Sequence, residues 1–321
     1  MAKRLFTQAR VSLTVLALCS ALPALAAERS WTLPGEALEV SSPCAREVEI
    51  LPATTAREIG IKAVAENQEE IDSLSVTGSG SGVTVTKQTK RCPFSQGGKQ
   101  TTMRLTITLP AGSDLRVHNG SSAGYRVRVP VGDLELRLSG SGGFAAERVT
   151  GRLQLGLTGS GEALIKEMTG KDASLRASGS GGITVGGTVS RLEIDLTGSG
   201  GAEVAAAGST EVETSGSGGV RVDTINGTLS FRASGSGSMK IGSVSADQAS
   251  IRTSGDGGIS IREGRIGRLD VSATGSADAR IAATVDSADL STSGSGNIDI
   301  QRVTGPVQQR HSGSGRIRIG G

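Results

Sequence analysis

The stretch Leu192-Glu-Ile-Asp-Leu-Thr-Gly-Ser-Gly200 decides the fold, because variants of it recur through the second half of the chain. The centres of the Gly-Ser-Gly phrase are Ser141, Ser160, Ser180, Ser199, Ser217, Ser236, Asp256, Ser276, Ser295 and Ser314. Successive centres are 18 to 20 residues apart. Ten copies at a period near 20 residues are typical of a solenoid, in which each repeat packs only on its neighbours.

Apolar residues alternate with polar ones before each phrase, as Leu192, Ile194 and Leu196 do. A spacing of two predicts a strand with one buried face. A second short strand, such as Ile183-Thr-Val185, is predicted after the glycines, and a further turn follows it. The sequence therefore predicts an all-β fold, a parallel β-solenoid of about ten coils of 19–20 residues. Glycine is expected in the phrase because a sharp turn needs positive φ.

The residue before each Gly-Ser-Gly phrase is always serine or threonine, so stacked coils would align these hydroxyl groups in a row. Two interpretations stay open. The hydroxyl groups could bond neighbouring coils to each other and fix their register, or they could form a flat polar array for a repetitive ligand such as a glycan. The candidate ligand-binding residues are Thr158, Ser178, Thr197, Ser215, Ser234 and, in place of a central serine, Asp256.

Four segments are predicted along the chain. Residues 1–26 are typical of a secretory signal peptide, with a basic start, an apolar core and a small-residue cleavage site. Residues 27–70 are expected to form an extended lead-in or a cap, and residues 71–133 the irregular first coils with an insertion. Residues 134–321 are the regular repeats. The apolar run of the signal is too short for a comfortable membrane span, so the mature protein is expected to be exported, to the periplasm or the cell surface.

Cys44 and Cys92 remain after signal removal, and both precede the regular repeats. Cysteines in an oxidising exported compartment commonly pair. We therefore predict a disulfide that staples the irregular N-terminal part of the solenoid. A reactive or metal-bound cysteine pair is the alternative.

Composition argues against several classes of function. The signal peptide holds three of the 34 basic residues and none of the 31 acidic ones, so the mature chain has a formal charge of 0. That balance gives no electrostatic reason to bind nucleic acid, and aromatic residues at 2% provide no stacking platform for bases. With two histidines in the chain, His118 and His311, no metal site and no cofactor is expected.

One sequence pattern imitates a catalytic motif. Gly120-Ser-Ser-Ala-Gly124 fits the Gly-x-Ser-x-Gly pattern of a hydrolase nucleophile elbow. Such an elbow needs a helix after the serine, whereas the alternation of Tyr125-Arg-Val-Arg-Val129 predicts a strand. No catalytic residue is therefore assigned.

The chain resembles the bacterial auto-transporter adhesin head domain family that is named for its GIN motif. The matching stretches are Leu74-Ser-Val-Thr-Gly-Ser-Gly80, Leu105-Thr-Ile-Thr-Leu-Pro110 and the serial Ser-Gly phrases from Ser139 to Gly315, so the resemblance covers about residues 70–321. It implies an exported β-solenoid of adhesin type and supplies no catalytic residues.

These observations predict an exported, non-enzymatic binding or structural protein of the bacterial cell envelope that presents a repetitive polar surface. A glycan or another envelope or surface component is the expected partner. One alternative is a polysaccharide-active enzyme, which would need a groove lined by two or more acids within one or two coils. The other is an assembly protein that stacks end to end through its terminal coil, Arg316-Ile-Arg-Ile-Gly-Gly321.

Overall fold

The computed structural model describes residues 26–88 and 101–320. The chain divides into two compact units, residues 1–147 and 148–321. The predicted signal peptide lies outside the described residues except for Ala26, and so does Cys92. The disulfide between Cys44, which is buried, and Cys92 therefore stays a prediction.

The first unit is built from short strands and one short helix. Its elements are β1 (Ala27–Pro34), β2 (Ala37–Ser41), β3 (Glu47–Pro52), β4 (Glu58–Ala65), α1 (Gln68–Asp72), β5 (Leu74–Ser79), β6 (Gly82–Lys87), β7 (Arg104–Leu109), β8 (Asp114–Asn119), β9 (Gly124–Val127), β10 (Leu134–Leu138) and β11 (Phe144–Val149). Alternation is the cause of strand formation throughout, since β2, β3, β7 and β8 each bury every second residue.

The coils of the first unit do not stack in chain order. Strand β2 lies in parallel between β6 and β8, and β3 lies in parallel between β7 and β9. Residues 37–52 therefore form a coil between two coils that come later in the chain. The register brings apolar residues into columns: Leu38 is paired with both Val83 and Leu115, and all three are buried.

Antiparallel strands cover the outer edge of this stack. Strand β4 pairs with β7, β1 pairs with β4, and β5 pairs with β6, all antiparallel. An uncovered strand edge would expose a row of unpaired backbone groups, which invites aggregation. The segment 27–70, predicted as a lead-in or a cap, thus contains two strands of the parallel stack, β2 and β3, and two strands that cover it, β1 and β4.

Helix α1 is attached to the segment before β7 by the carboxylate of Glu70, which is 2% exposed. This carboxylate accepts hydrogen bonds from the Thr101 hydroxyl (2.7 Å), the Thr102 amide (2.8 Å) and hydroxyl (2.9 Å), the Met103 amide (2.9 Å) and the Asn67 side chain (3.1 Å). Burial raises the pKa of Glu70, but the hydrogen bonds from Thr101, Thr102 and Met103 lower it by more, so the net pKa lies below the ordinary value.

The second unit is a regular parallel stack. Its elements are β12 (Leu153–Leu157), β13 (Ala163–Met168), β14 (Asp172–Ala177), β15 (Gly182–Leu196), β16 (Gly201–Thr214), β17 (Gly219–Asn226), β18 (Leu229–Ala233), β19 (Ser238–Thr253), β20 (Ile259–Gly275), β21 (Ala279–Gly294), β22 (Ile298–Val303), β23 (Val307–Gly313) and β24 (Ile317–Ile319). Like residues stack on like, since Ile194, Val212, Phe231 and Ile251 are in register and buried.

Several coils have one long strand where the sequence predicts two short ones. Strands β15, β16, β19, β20 and β21 are 14 to 17 residues long and continue through the predicted turn. The pairing register shifts locally, for example between Val185 and Thr188, and the strand continues beyond the shift. The prediction of two strands in every coil is therefore wrong, because pairing to both neighbouring coils holds the backbone extended.

Close packing between coils, rather than positive φ, explains most glycines of the phrase. Among the described residues, Gly198, Gly216 and Gly235 do not have positive φ, in contrast to Gly275 and Gly294. A Cβ atom on Gly198, Gly216 or Gly235 would overlap a carbonyl oxygen of the preceding coil's phrase. The expectation of positive φ was wrong for these coils, because the constraint comes from the neighbouring coil and not from the turn itself.

Within residues 26–88 and 101–320, no helix has the length and the apolar character that crossing a membrane requires.

Candidate functional site

The serines and threonines that precede the Gly-Ser-Gly phrases form a row on the surface of the second unit, which we call the hydroxyl row. Its members are Thr158, Ser178, Thr197, Ser215, Ser234, Ser254, Thr274, Ser293 and Ser312, and all are exposed. Backbone hydrogen bonds connect the coils along it. The amide of Ser215 donates to the carbonyl of Leu196 (2.9 Å), and the amide of Ser234 donates to the carbonyl of Thr214 (2.9 Å).

The side-chain hydroxyl groups take little part in these connections. In the described part of the chain, the hydroxyl groups of Thr197, Ser215 and Ser234 make no hydrogen bond to protein atoms, whereas that of Thr274 donates to the carbonyl of Thr253 (3.1 Å). Backbone amides therefore fix the register over these coils. The hydroxyl groups are left free to contact solvent or a ligand.

A second row runs beside the first, two residues earlier on each strand, and we call it the charged row. Arg176, Asp195, Glu213, Arg232 and Arg252 are successive partners in parallel register. Alternation turns these side chains outward, as it does the hydroxyl row, with a buried residue between the two rows on each strand.

A groove with a volume of about 530 Å³ lies along these two rows. It is lined by Asp195, Thr197, Glu213, Thr214, Ser215, Arg232, Ala233, Ser234, Arg252, Thr253, Ser254, Ser272 and Thr274. These residues belong to five consecutive coils, so the groove is roughly 19 Å long at roughly 4.8 Å per coil. Its volume is in the range of small-molecule sites, about 300 to 1,000 Å³.

The groove brings together three of the six predicted binding residues, Thr197, Ser215 and Ser234. Thr158 and Ser178 belong to the same row but precede the groove. Asp256 is exposed in the neighbouring row of central residues and does not line it.

The charged wall of the groove was not predicted as part of the site. Asp195, Glu213, Arg232 and Arg252 were identifiable from the sequence as outward residues, because they alternate with buried ones. The repeat also places them in one row beside the hydroxyl groups, but only the structure shows that the two rows line one groove.

The charged row is unevenly neutralised. The guanidinium of Arg232 contacts the carboxylates of Glu211 (2.8 Å) and Glu213 (3.3 Å). Arg252 donates to the hydroxyl of Ser250 (2.7 Å) and makes no ion pair with any described residue. Asp195 likewise has no cationic partner among the described residues. One end of the groove is therefore acidic and the other end is basic.

The side chain of His311 makes a contact within its own coil. It lies in register with Thr292, whose hydroxyl donates to the carbonyl of Gly296 (3.1 Å), and its Nε2 contacts the carbonyl of Gly315, which is the equivalent contact one coil later. In the part of the chain that is described, no group of three or more histidine, cysteine, aspartate or glutamate residues is close enough to hold a metal ion.

Solved structures from two Parabacteroides species show a distant similarity to this chain. A "putative adhesin" from Parabacteroides merdae is 14% identical, over 92% of this chain and 95% of its own, with a TM-score of 0.40. A "putative lipid binding protein" from Parabacteroides distasonis is 13% identical, over 91% of this chain and 96% of its own, with a TM-score of 0.33. No curated protein matches the chain.

A family model confirms the resemblance that the repeats indicated. The model described as "Putative auto-transporter adhesin, head GIN domain" matches residues 99–243 and 228–321. The first match includes the whole groove up to Arg232, and the second includes the rest of it. Because the two matches together cover more than half of the chain, the protein belongs to this adhesin head domain family.

Proposed function

We propose that this chain is an exported, non-catalytic binding protein that holds a linear polysaccharide in the groove of its second unit. Membership of an adhesin family supports a binding role. The observation that carries the proposal is the wall of exposed hydroxyl groups, Thr197, Ser215 and Ser234, which have no hydrogen-bond partner among the described residues and which line one cavity.

The binding mechanism follows from the repetition of the coils. A hydroxyl group both donates and accepts hydrogen bonds, as the hydroxyl groups of a sugar do. The coils repeat at roughly 4.8 Å, which is close to the length that one sugar residue adds to an extended chain. Each contact is weak, either direct or through water, and consecutive contacts to one chain add up because the later ones are intramolecular.

Export supports the same proposal. The predicted signal peptide, residues 1–26, would deliver the protein to the periplasm or the cell surface, where polysaccharides are abundant. The groove would meet envelope glycans in either location.

An enzyme is the alternative that one specific observation favours. Asp195 and Glu213 are in register on neighbouring coils and both line the groove, which is the arrangement that a polysaccharide-active enzyme would need. A glycosidase also needs a carboxyl group that stays protonated, which burial provides. The side chain of Glu213 is 57% exposed and ion-paired with Arg232, so we propose binding rather than hydrolysis.

End-to-end assembly is a weaker alternative. Ile317 and Ile319 of β24 are only half-buried, whereas their partners in register, Ile298 and Ile300, are buried. Stacking on another chain would cover them, but it would leave the groove and its hydroxyl wall without a role.

The test is a binding measurement on the mature chain from Ala27 with immobilised neutral and acidic oligosaccharides. The double variant Ser215→Ala/Ser234→Ala removes two hydroxyl groups from the groove. The matched control, Ser293→Ala/Ser312→Ala, removes two from the same row outside it. At about 0.5–1.5 kcal/mol per hydrogen bond, the groove variant is expected to bind roughly tenfold more weakly and the control unchanged.

Two results would contradict the proposal. Equal loss of affinity in both double variants would mean that the groove has no special role. Shortened oligosaccharides after incubation, abolished by Asp195→Asn or Glu213→Gln, would establish the enzyme instead.

A further inference from the structure

We infer that the groove selects polysaccharides that carry carboxylate groups and that Arg252 is the residue that binds the carboxylate. The inference rests on the proposed function and adds the ligand class. The four charged residues that line the groove sum to a formal charge of zero; they are Asp195, Glu213, Arg232 and Arg252. We therefore assign the preference for carboxylates to one position, Arg252, and not to the net charge of the groove.

The register places two arginines side by side. Arg232 and Arg252 are direct partners on neighbouring strands, and like charges in that position destabilise a sheet. The positive charge of Arg232 is neutralised because its guanidinium contacts the carboxylates of Glu211 and Glu213 on the preceding coil. The guanidinium of Arg252 has no carboxylate partner within the described residues, and an anionic ligand would supply one.

The surroundings of Arg252 hold its guanidinium without neutralising it. Ser250 accepts one hydrogen bond from Nη1 at 2.7 Å. The next coil offers Ser272 in register with Arg252, and Asp270 in register with Ser250, but Asp270 makes no ion pair with the guanidinium. The remaining N–H groups of the planar guanidinium are therefore available to a carboxylate, which the group binds in a two-point geometry.

The rest of the groove explains why the ligand would be a sugar acid and not a small anion. Hydroxyl groups of Ser234, Ser254 and Thr274 line the same part of the groove as Arg252. They match the ring hydroxyl groups of a saccharide that carries its carboxylate to Arg252. Asp195 and Glu213, three and two coils before Arg252, repel further negative charge, so the groove favours acidic polysaccharides in which neutral sugars alternate with the sugar acid, as in hyaluronan.

The experiment compares matched pairs of probes. Hexasaccharides of galacturonan, alginate and hyaluronan are each titrated beside their carboxyl-reduced forms, which keep the sugar backbone and lose the charge. The proteins are the mature chain, Arg252→Gln, and the control Arg268→Gln, which removes another exposed arginine that lies outside the groove and has no ion pair with a described residue. Matching thermal unfolding curves establish that both variants are folded.

We expect the mature chain to bind at least one acidic form about fivefold more tightly than its reduced form, the upper range for a solvent-accessible ion pair. Arg252→Gln should bring the two affinities together, and Arg268→Gln should keep them apart. The preference should shrink as salt screens the charge.

Each contrary outcome has a distinct meaning. Equal binding of acidic and reduced forms by the mature chain, or an undiminished preference in Arg252→Gln, overturns the inference and leaves the proposed function standing. Binding of neither form of any probe overturns both.

Discussion

Replacing Glu70 with alanine tests whether a single buried carboxylate holds helix α1 to the segment that precedes β7. In the wild-type protein the carboxylate accepts five hydrogen bonds, two of them from the amides of Thr102 and Met103. Alanine leaves the half-buried Thr102 amide with no acceptor among the described residues, and it leaves the buried Met103 amide with only the Thr101 hydroxyl, a longer contact at 3.3 Å. At about 1–3 kcal/mol for each unsatisfied group, we expect the local free energy of opening to fall by about 3 kcal/mol.

The effect should depend on pH with a defined sign. Hydrogen bonds to the carboxylate hold the pKa of Glu70 in the folded protein below its ordinary value of 4.5, so the folded state favours the ionised form. The stabilisation is fully present above the unfolded pKa of about 4.5 and is lost as the pH falls through the lower folded value. The difference between wild-type and Glu70→Ala should therefore be largest at pH 6–7 and should shrink below pH 4.

Hydrogen exchange with mass spectrometry measures this local opening directly, which matters because repeat proteins open in parts. Peptides that contain residues 101–103 should exchange roughly 100-fold faster in Glu70→Ala at pH 7, which corresponds to about 3 kcal/mol. The control is Glu69→Gln, a change at the exposed neighbouring position, and its exchange should match that of the wild type. Unchanged exchange in Glu70→Ala, or a difference that grows as the pH falls, would refute the reasoning.

Two further predictions concern packing. Gly235→Ala should lower the urea unfolding midpoint, because its Cβ would meet carbonyl oxygens of Ser215 and Gly216 and such overpacking costs about 1–3 kcal/mol. The control Gly182→Ala, whose Cβ would meet nothing within 4 Å, should leave the midpoint unchanged. Equal losses in the two variants would contradict the account of close approach between coils. Tyr125→Phe should raise the thermal midpoint by an amount equivalent to about 1 kcal/mol, because it removes a buried hydroxyl group that has no hydrogen-bond partner among the described residues. The same burial raises the pKa of Tyr125. The ring contact of Tyr125 with Phe144, at 6.3 Å between centroids, is kept, and a lower midpoint would mean that the hydroxyl does form a stabilising contact.

Local patterns in the sequence were sufficient for the fold class and for the choice of inward and outward residues. Leu192, Ile194 and Leu196 are all buried, as their spacing of two predicts, because side-chain direction alternates along any strand. The period of 18 to 20 residues was sufficient for the parallel solenoid, since equal repeats align when they stack.

The order of stacking in the first unit could not be predicted in the same way. Strands β2 and β3 have the same alternation as the strands of any other coil. No local sequence pattern indicates that β2 lies between β6 and β8, or that β3 lies between β7 and β9. That choice depends on pairings between residues that are distant in the chain, and on the antiparallel strands β4 and β5 that cover the edge.

The candidate site was likewise predictable from the sequence only in part. The amino-acid sequence by itself determined that Thr197, Ser215 and Ser234 form one row and that Arg232 and Arg252 point outward, because both follow from period and alternation. Only the tertiary structure decided that Arg232 contacts Glu211 and Glu213 and that Arg252 has no carboxylate partner in the described part of the chain. The physical reason is that register between coils is a property of the backbone, which the repeat specifies, whereas ion pairing depends on which side-chain conformations the neighbouring coils allow.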